Sequence, residues 1–416
     1  MVDPQDARRL GLGEISIVLL ALLFPLGARF ATGVGNIYLA TAMAMIWLAA
    51  WALFSFAGPR GGLLLSTWPQ RALFAYAVFI VLQVLLHLGS LVDRPSFLLR
   101  SVQLVVYLAL FSTISSLSVG RRALRLLIGL SLAVLAFECA ITWLPGHTSP
   151  VGFLTGTFDR EHSSFAGYLL LMLSIVVACY LHKGSGYHRG SLALLAAAGF
   201  ICLILSFSRA AYVATPIALL AILHRRSGLR AALVAVGILA AAIVLAGLVL
   251  PFEVVERFGS ILEAAKGETS DVSLLTRFAL WENAFSHLVR SGFLGVGPYG
   301  FHYLDNYYVR VLVETGPVGL GLFVSLLIAL LAWLSRAHER GVDPEMRAIA
   351  LGLYGATVGL LVVMSLSTDV LLIHRVMGLY WVLLGAFMAA SRGLAPTRAN
   401  RALEAGGFNP SFAHEQ

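Results

Sequence analysis

The chain has 416 residues, of which 59% are hydrophobic and 12% charged, with a mean hydropathy of +0.87 and a formal net charge of +8. This composition excludes a soluble globular domain, since apolar residues far outnumber what a water-facing surface can hide. The positive charge lies largely in connectors between apolar runs, so it is a topology signal and offers no argument for a nucleic-acid partner.

A helix needs about 20 residues to cross a hydrocarbon core. The apolar runs predict twelve such helices, near 15–30, 36–57, 72–89, 99–118, 123–144, 164–182, 191–207, 210–224, 230–251, 317–335, 347–367 and 375–391. The expected fold is an all-α polytopic membrane protein, one transmembrane domain over residues 1–391, followed by a cytoplasmic tail at 392–416 expected to be disordered. The first apolar run has no small-residue cleavage site and reads as a signal anchor. Ser206, Ser208 and Arg209 interrupt the run 191–224, which is too long for one crossing and is therefore divided in two. Cys139, Cys179 and Cys202 fall inside helices and read as small apolar fillers. Glu138 lies inside the fifth helix, where an acid is costly unless it finds a partner or a wet cavity.

With the N-terminus placed in the cytoplasm, most of the 29 lysines and arginines fall on the inner side, among them Arg121, Arg122, Arg125, Lys183, Arg225 and Arg336. That bias puts both termini in the cytoplasm and turns the longest connector, about 252–316, outward. Within it, 254–265 and the stretch around Arg277 have helical apolar spacing and read as interfacial helices roofing a cavity. Arg277 and Trp281, four apart, share a helix face, with Phe285 toward the membrane. A glycine-punctuated run, Gly292, Gly295, Gly297 and Gly300, then leads into Asp305-Asn306-Tyr307-Tyr308.

Each polar candidate has a plainer reading beside its functional one. Arg209, at the outward start of a helix, either snorkels to the interface or offers a forked, always protonated donor to phosphate oxygens. Arg277 either decorates a solvated face or lines the cavity. Asp305 or Asn306 can cap a short helix, and Arg310 with Glu314 makes an ordinary pair four residues apart. Asp159, Arg160, Glu161 and His162 form a polar cluster suited to sugar or to solvent. His374 and Arg375 precede the last helix, where they serve topology or touch phosphate. The sequence has neither a P-loop nor Cys/His metal spacing.

Taken together these pieces resemble the O-antigen ligase and polymerase superfamily of bacterial membrane glycosyltransferases. The resemblance rests on the topology, on Gly152 to Tyr168 with Gly156-Thr157-Phe158, and on Ser208-Arg209-Ala210. It also rests on Arg277 with Trp281, Gly295-Val296-Gly297 with Phe301, and Asp305-Asn306 through Gly319. It implies a GT-C-like membrane fold with a helical periplasmic cap in the bacterial inner membrane. The implied donor is an undecaprenyl-diphosphate-linked glycan, and further implied partners are a chain-length regulator or a lipid A core acceptor.

Ligases of the superfamily carry a His before the frame that Asn306, Gly316 and Gly319 fit, whereas here that position is Asp305. The departure points to a repeat-unit polymerase, while His302 three residues earlier keeps the ligase alternative open. A leaving diphosphate demands stabilisation of developing charge, assigned to Arg209 and Arg277 with help from Arg160 and Arg375, without a metal or other cofactor. An acceptor hydroxyl needs a base, with Asp305 the first choice and His302 the second. Trp281, Asn306, Tyr308 and His162 are the glycan-binding candidates. A flippase or other transporter is a third reading, disfavoured because no repeated halves are evident.

Overall fold

Apolar runs of span length become helices throughout the computed structural model, in which residues 10–26, 29–32, 35–57, 65–89, 95–148, 153–158, 162–246, 272–301, 304, 306–341, 343–366 and 374–393 are described. Among these, twelve helices occur: α1 (Leu12–Leu26), α2 (Leu39–Ala57), α3 (Trp68–Leu86), α4 (Pro95–Ser116), α5 (Arg121–Ile141), α6 (His162–Leu181), α7 (Arg189–Leu205), α8 (Arg209–Ala246), α9 (Val272–Arg290), α10 (Tyr307–Arg340), α11 (Pro344–Leu366) and α12 (His374–Gly393). By length and composition α3, α5, α6, α10 and α11 can each cross a membrane, and α1, α2 and α7 contain shorter apolar helices. Among the described residues this is the all-α fold of a membrane protein, with one small hairpin.

The twelve helices are not quite the twelve expected. The two spans expected at 210–224 and 230–251 form one element, α8, broken only at Gly228, where φ is 83° and ψ 177°. A single residue in the left-handed half of backbone space suffices to redirect the chain, so no loop is needed. The helix that restores the number is α9, the amphipathic stretch around Trp281. Helix α10 joins the capped segment at Asn306 to the span expected at 317–335, with its own break at Gly316. Between α1 and α2, where helices were expected to reach 30 and restart at 36, β1 (Arg29–Thr32) pairs antiparallel with β2 (Gly35–Tyr38). Phe30, Thr32, Ile37 and Tyr38 favour strands. The second expected amphipathic segment, 254–265, and the tail from 394 lie outside the described residues.

Helix α6 is the centre of the bundle, buried on nearly every side from Ser164 to Cys179. A helix apolar all round belongs in the middle of a membrane bundle. Helix α11 runs antiparallel to it: Gly352 abuts Ile175, and Gly359 abuts Leu170. A Cβ on Gly352 would lie 2.7 Å from the Ile175 Cα, and one on Gly355 would lie 2.4 Å from Ile222 of α8. Small residues let these helices approach closely where lipid gives no hydrophobic drive to associate.

That antiparallel packing defines two ends. At one, here the Glu345 end, Arg121 pairs with Asp343 at 2.7 Å, Arg125 with Glu345 at 2.7 Å and Arg225 with Glu339 at 3.1 Å. The rings of His182 and His338 meet edge to face there, 5.3 Å apart. The opposite end, here the Arg209 end, gathers the last turn of α5, the start of α6, the α7–α8 turn, the N-terminus of α10, the last turn of α11 and the start of α12.

Candidate functional site

Two loops dominate the Arg209 end. The first, 153–158, is held from three sides. Glu138, wholly buried in α5, accepts the Thr157 backbone N–H at 3.0 Å through Oε2 and the Thr157 hydroxyl at 2.6 Å through Oε1. Thr157 in turn accepts Arg375 Nη1 at 2.6 Å on its carbonyl and at 3.2 Å on its hydroxyl. The Arg375 guanidinium also stands over the Phe158 ring, 4.8 Å from its centroid. Gly156 is the residue that permits this. Its φ is +55°, and a Cβ there would lie 2.5 Å from Glu138 Oε2.

The other half of that loop grips the turn before α8. Leu154 N donates to Leu205 O at 3.1 Å. Phe153 stacks on Phe207 with centroids 4.7 Å apart and meets the His162 ring edge-on at 5.3 Å. Phe207 has a φ of 54°, unusual for a bulky residue and maintained only where surroundings fix it. Ser208 and half-buried Arg209 follow directly and begin α8. The Tyr212 hydroxyl reaches back to Ile204 O and closes the turn.

The second loop, 291–301, answers a backbone problem in α10. Pro317 has no N–H, and Gly316 is non-helical (φ 71°, ψ 179°), so the carbonyls of Val313 and Glu314 lose their helical donors. Val296 N and Gly297 N replace them, at 3.0 Å to Val313 O and 2.9 Å to Glu314 O. The fit is close: a Cβ on Gly295 would lie 2.4 Å from Glu314 O, and one on Gly316 2.3 Å from Phe293 O. The side chain of Glu314 is equally engaged. It accepts Arg310 Nε at 2.8 Å and the Tyr299 backbone N–H, while the Arg310 guanidinium lies over the Tyr299 ring at 4.7 Å. The glycine run expected to lead into the site is therefore a clasp on α10. The Arg310–Glu314 pair is buried, not a solvated surface pair.

Helix α10 starts at Asn306, whose Oδ1 accepts Tyr308 N at 3.0 Å and Val309 N at 3.1 Å, as an N-cap should. Its Nδ2 donates to Ser365 O at 2.9 Å, tying the cap to the last turn of α11. The Tyr308 hydroxyl donates to Leu361 O at 3.1 Å. Helix α9 lies alongside, with Ala284 and Leu288 buried against Leu304 and Val313. Phe285 and Val289, next in sequence to Ala284 and Leu288 and so about 100° round the helix, stay exposed.

Of the residues singled out from sequence, the structure thus brings Arg209, His162, Arg375, Asn306 and Tyr308 to one end. Trp281 is half-buried on α9. Arg277 lies on the same helix, but its side chain, like Arg160, His302 and Asp305, lies outside the described residues. Arg375 is 3% exposed and engaged by Thr157, so its contact with any ligand runs through that loop. Sequence reasoning named Thr157 only within Gly156-Thr157-Phe158 and missed its bridging role, as it missed the clasp role of Val296 and Gly297. The Gly316-Pro317 step after a glycine-rich run was the available signal for the clasp, because such a step strands two carbonyls.

Residues 192–324 match the model of the O-antigen ligase family. Over this segment, about a third of its length, the chain is similar to that family. The matched segment starts in α7 and runs through the Arg209 turn, α8, α9 and the clasp to the middle of α10. It includes Arg209, Arg277, Trp281, His302, Asp305, Asn306 and Tyr308; Glu138, Thr157, Arg160, His162 and Arg375 lie outside it. No curated protein matches the chain.

Proposed function

We propose that this protein transfers glycan from a polyprenyl diphosphate carrier to a hydroxyl acceptor at its Arg209 end, as a polymerase of lipid-linked repeat units. The observation that carries the reading is convergence: the O-antigen ligase segment delivers Arg209 at the start of α8 and the Asn306 cap of α10 to the same end of the bundle. In this reading the protein is multi-pass in the bacterial inner membrane, with that end toward the periplasm, α9 lying as an interfacial cap in a GT-C-like arrangement.

The acceptor oxygen attacks the anomeric carbon, the carbon–oxygen bond to the diphosphate breaks, and the configuration inverts. Asp305 takes the hydroxyl proton, with His302 the second choice. The electron pair leaves on the diphosphate, whose charge Arg209 and Arg277, with Arg160, meet in place of a divalent cation. Trp281, His162 and Tyr308 offer ring faces to sugar. The amide of Asn306, consumed by the cap and Ser365, serves to place its neighbour Asp305.

Asp305 at the position where ligases carry His favours polymerisation. The description of the matching family favours a second reading, ligation of finished polysaccharide onto lipid A core. Purified protein given one lipid-linked repeat as sole substrate separates them. A ladder of longer carrier-linked chains, formed also with a chelator present, supports the polymerase. Extension that waits for core acceptor supports the ligase, and no transfer under either condition refutes both.

A further inference from the structure

We infer that Glu138, Thr157 and Arg375 form a positioning relay that sets the geometry of Arg209 toward a diphosphate, an inference resting on the donor chemistry proposed above. Glu138 uses both carboxylate oxygens on one residue, Thr157, and does so without solvent exposure. Burying a carboxylate in a membrane bundle is expensive unless it is fully bonded, and here its bonds fix a loop.

Thr157 is the hinge of the chain of contacts. Its hydroxyl donates to Glu138 and accepts from Arg375, and its carbonyl accepts from Arg375 too. The guanidinium charge on Arg375 and the carboxylate charge on Glu138 are thereby joined across α5 and α12 through one threonine. Three and four residues earlier the same loop bonds Leu205 O through Leu154 N and stacks Phe153 on Phe207, the residue in left-handed conformation just before Ser208-Arg209. A shift at Thr157 therefore moves the platform from which Arg209 projects. Arg375 and Glu138 are positioning residues, since neither offers exposed surface to a ligand.

Binding of inorganic pyrophosphate to the full-length protein in lipid nanodiscs tests this. Arg209→Ala is the reference and should abolish measurable binding. Thr157→Val keeps shape but removes the hydroxyl, and should weaken pyrophosphate about tenfold, the scale of one lost hydrogen bond to a charged group. Thr157→Ser, which keeps the hydroxyl, should bind within about twofold of the parent. Glu138→Gln presents an amide N–H to one of the two Thr157 donors, so it should match Thr157→Val and stands in for it if that variant does not accumulate. In an Arg209→Lys background, Thr157→Val should cost clearly less than in the parent, because both changes act on one contact.

Parental affinity in Thr157→Val and Glu138→Gln, with binding lost in Arg209→Ala, overturns the relay and leaves the donor reading standing. Equal losses in Thr157→Val and Thr157→Ser, or full additivity with Arg209→Lys, also overturn it. Parental affinity in Arg209→Ala overturns both readings.

Discussion

Gly316 shows how much one residue decides in this protein. Its backbone angle is open to glycine and strained for other residues, and the carbonyl of Phe293 fills the place of a side chain, 2.3 Å from where a Cβ would sit. Gly228 shares the left-handed φ, yet nothing lies within 4 Å of its Cβ position. Replacing Gly228 by Ala should therefore cost about 1–3 kcal/mol, the conformational penalty alone. Gly316→Ala should cost clearly more, because the clasp must also give way. Thermal unfolding of the two variants in detergent checks this, and equal shifts would mean that the clasp does not bear on Gly316. Residue types at this scale were partly legible. Asn306 has the cap-forming character its position suggested. The contacts joining residues 138, 157 and 375 were not legible, because periodicity fixes neighbours along one helix and says nothing of register between distant ones.

At the scale of elements, α10 holds together through the buried Arg310–Glu314 pair. Removing one partner strands the other charge, so Glu314→Ala should destabilise by about 3–5 kcal/mol. An Arg310→Met/Glu314→Met double variant strands neither charge and should be less destabilised than the single alanine variant. A double variant as unstable as the single one would show that the loop contacts of Glu314, and not the pairing, carry the effect. A second element-level consequence lies where α6 meets α10. Burial, then the positive charge of nearby His338, Arg226 and Arg347, holds the His182 pKa below its ordinary value. The native state thus resists protonation there. Its contribution is fully present above the unfolded value of about 6.5 and is lost as pH falls from there through the lower folded value. Stability measured from pH 7.5 to 5.5 should decline less in His182→Gln, and an identical decline would assign the loss to other groups.

Elements were legible where a run is uniformly apolar and near span length, as in α3, α5, α6 and α11. They were less so where one glycine does the work of a loop. At Gly228 the polar stretch His224-Arg225-Arg226-Ser227, with Arg230 beyond it, reads as a connector, and only the backbone angle reveals that one element bends in place of two being joined. The hairpin between α1 and α2 escaped for a different reason. Four-residue strands inside apolar sequence give no alternation long enough to outweigh a helical reading.

Across the whole molecule, charge is divided by end. The described ion pairs of Arg121, Arg125 and Arg225 belong to the Glu345 end, alongside basic residues that the loop rule assigns to the cytoplasm. Reporters fused at Gly228 and Gly341 should then report cytoplasm, and one at Gly146, beside the 153–158 loop, should report periplasm. A periplasmic Gly341 reporter would invert the molecule and turn the Arg209 end away from a periplasmic lipid-linked donor.

The central claim is that the Arg209 end holds a diphosphate during glycan transfer. Its most direct test is the transfer rate of purified, lipid-reconstituted Arg209→Ala with a lipid-linked repeat as substrate, read beside its abundance and thermal unfolding. The account predicts a loss of at least about a hundredfold, as for removing a key charge-stabilising donor, from a protein that is otherwise folded, with Arg209→Lys recovering only part because lysine lacks the forked donors. Transfer at the parental rate by Arg209→Ala would contradict it.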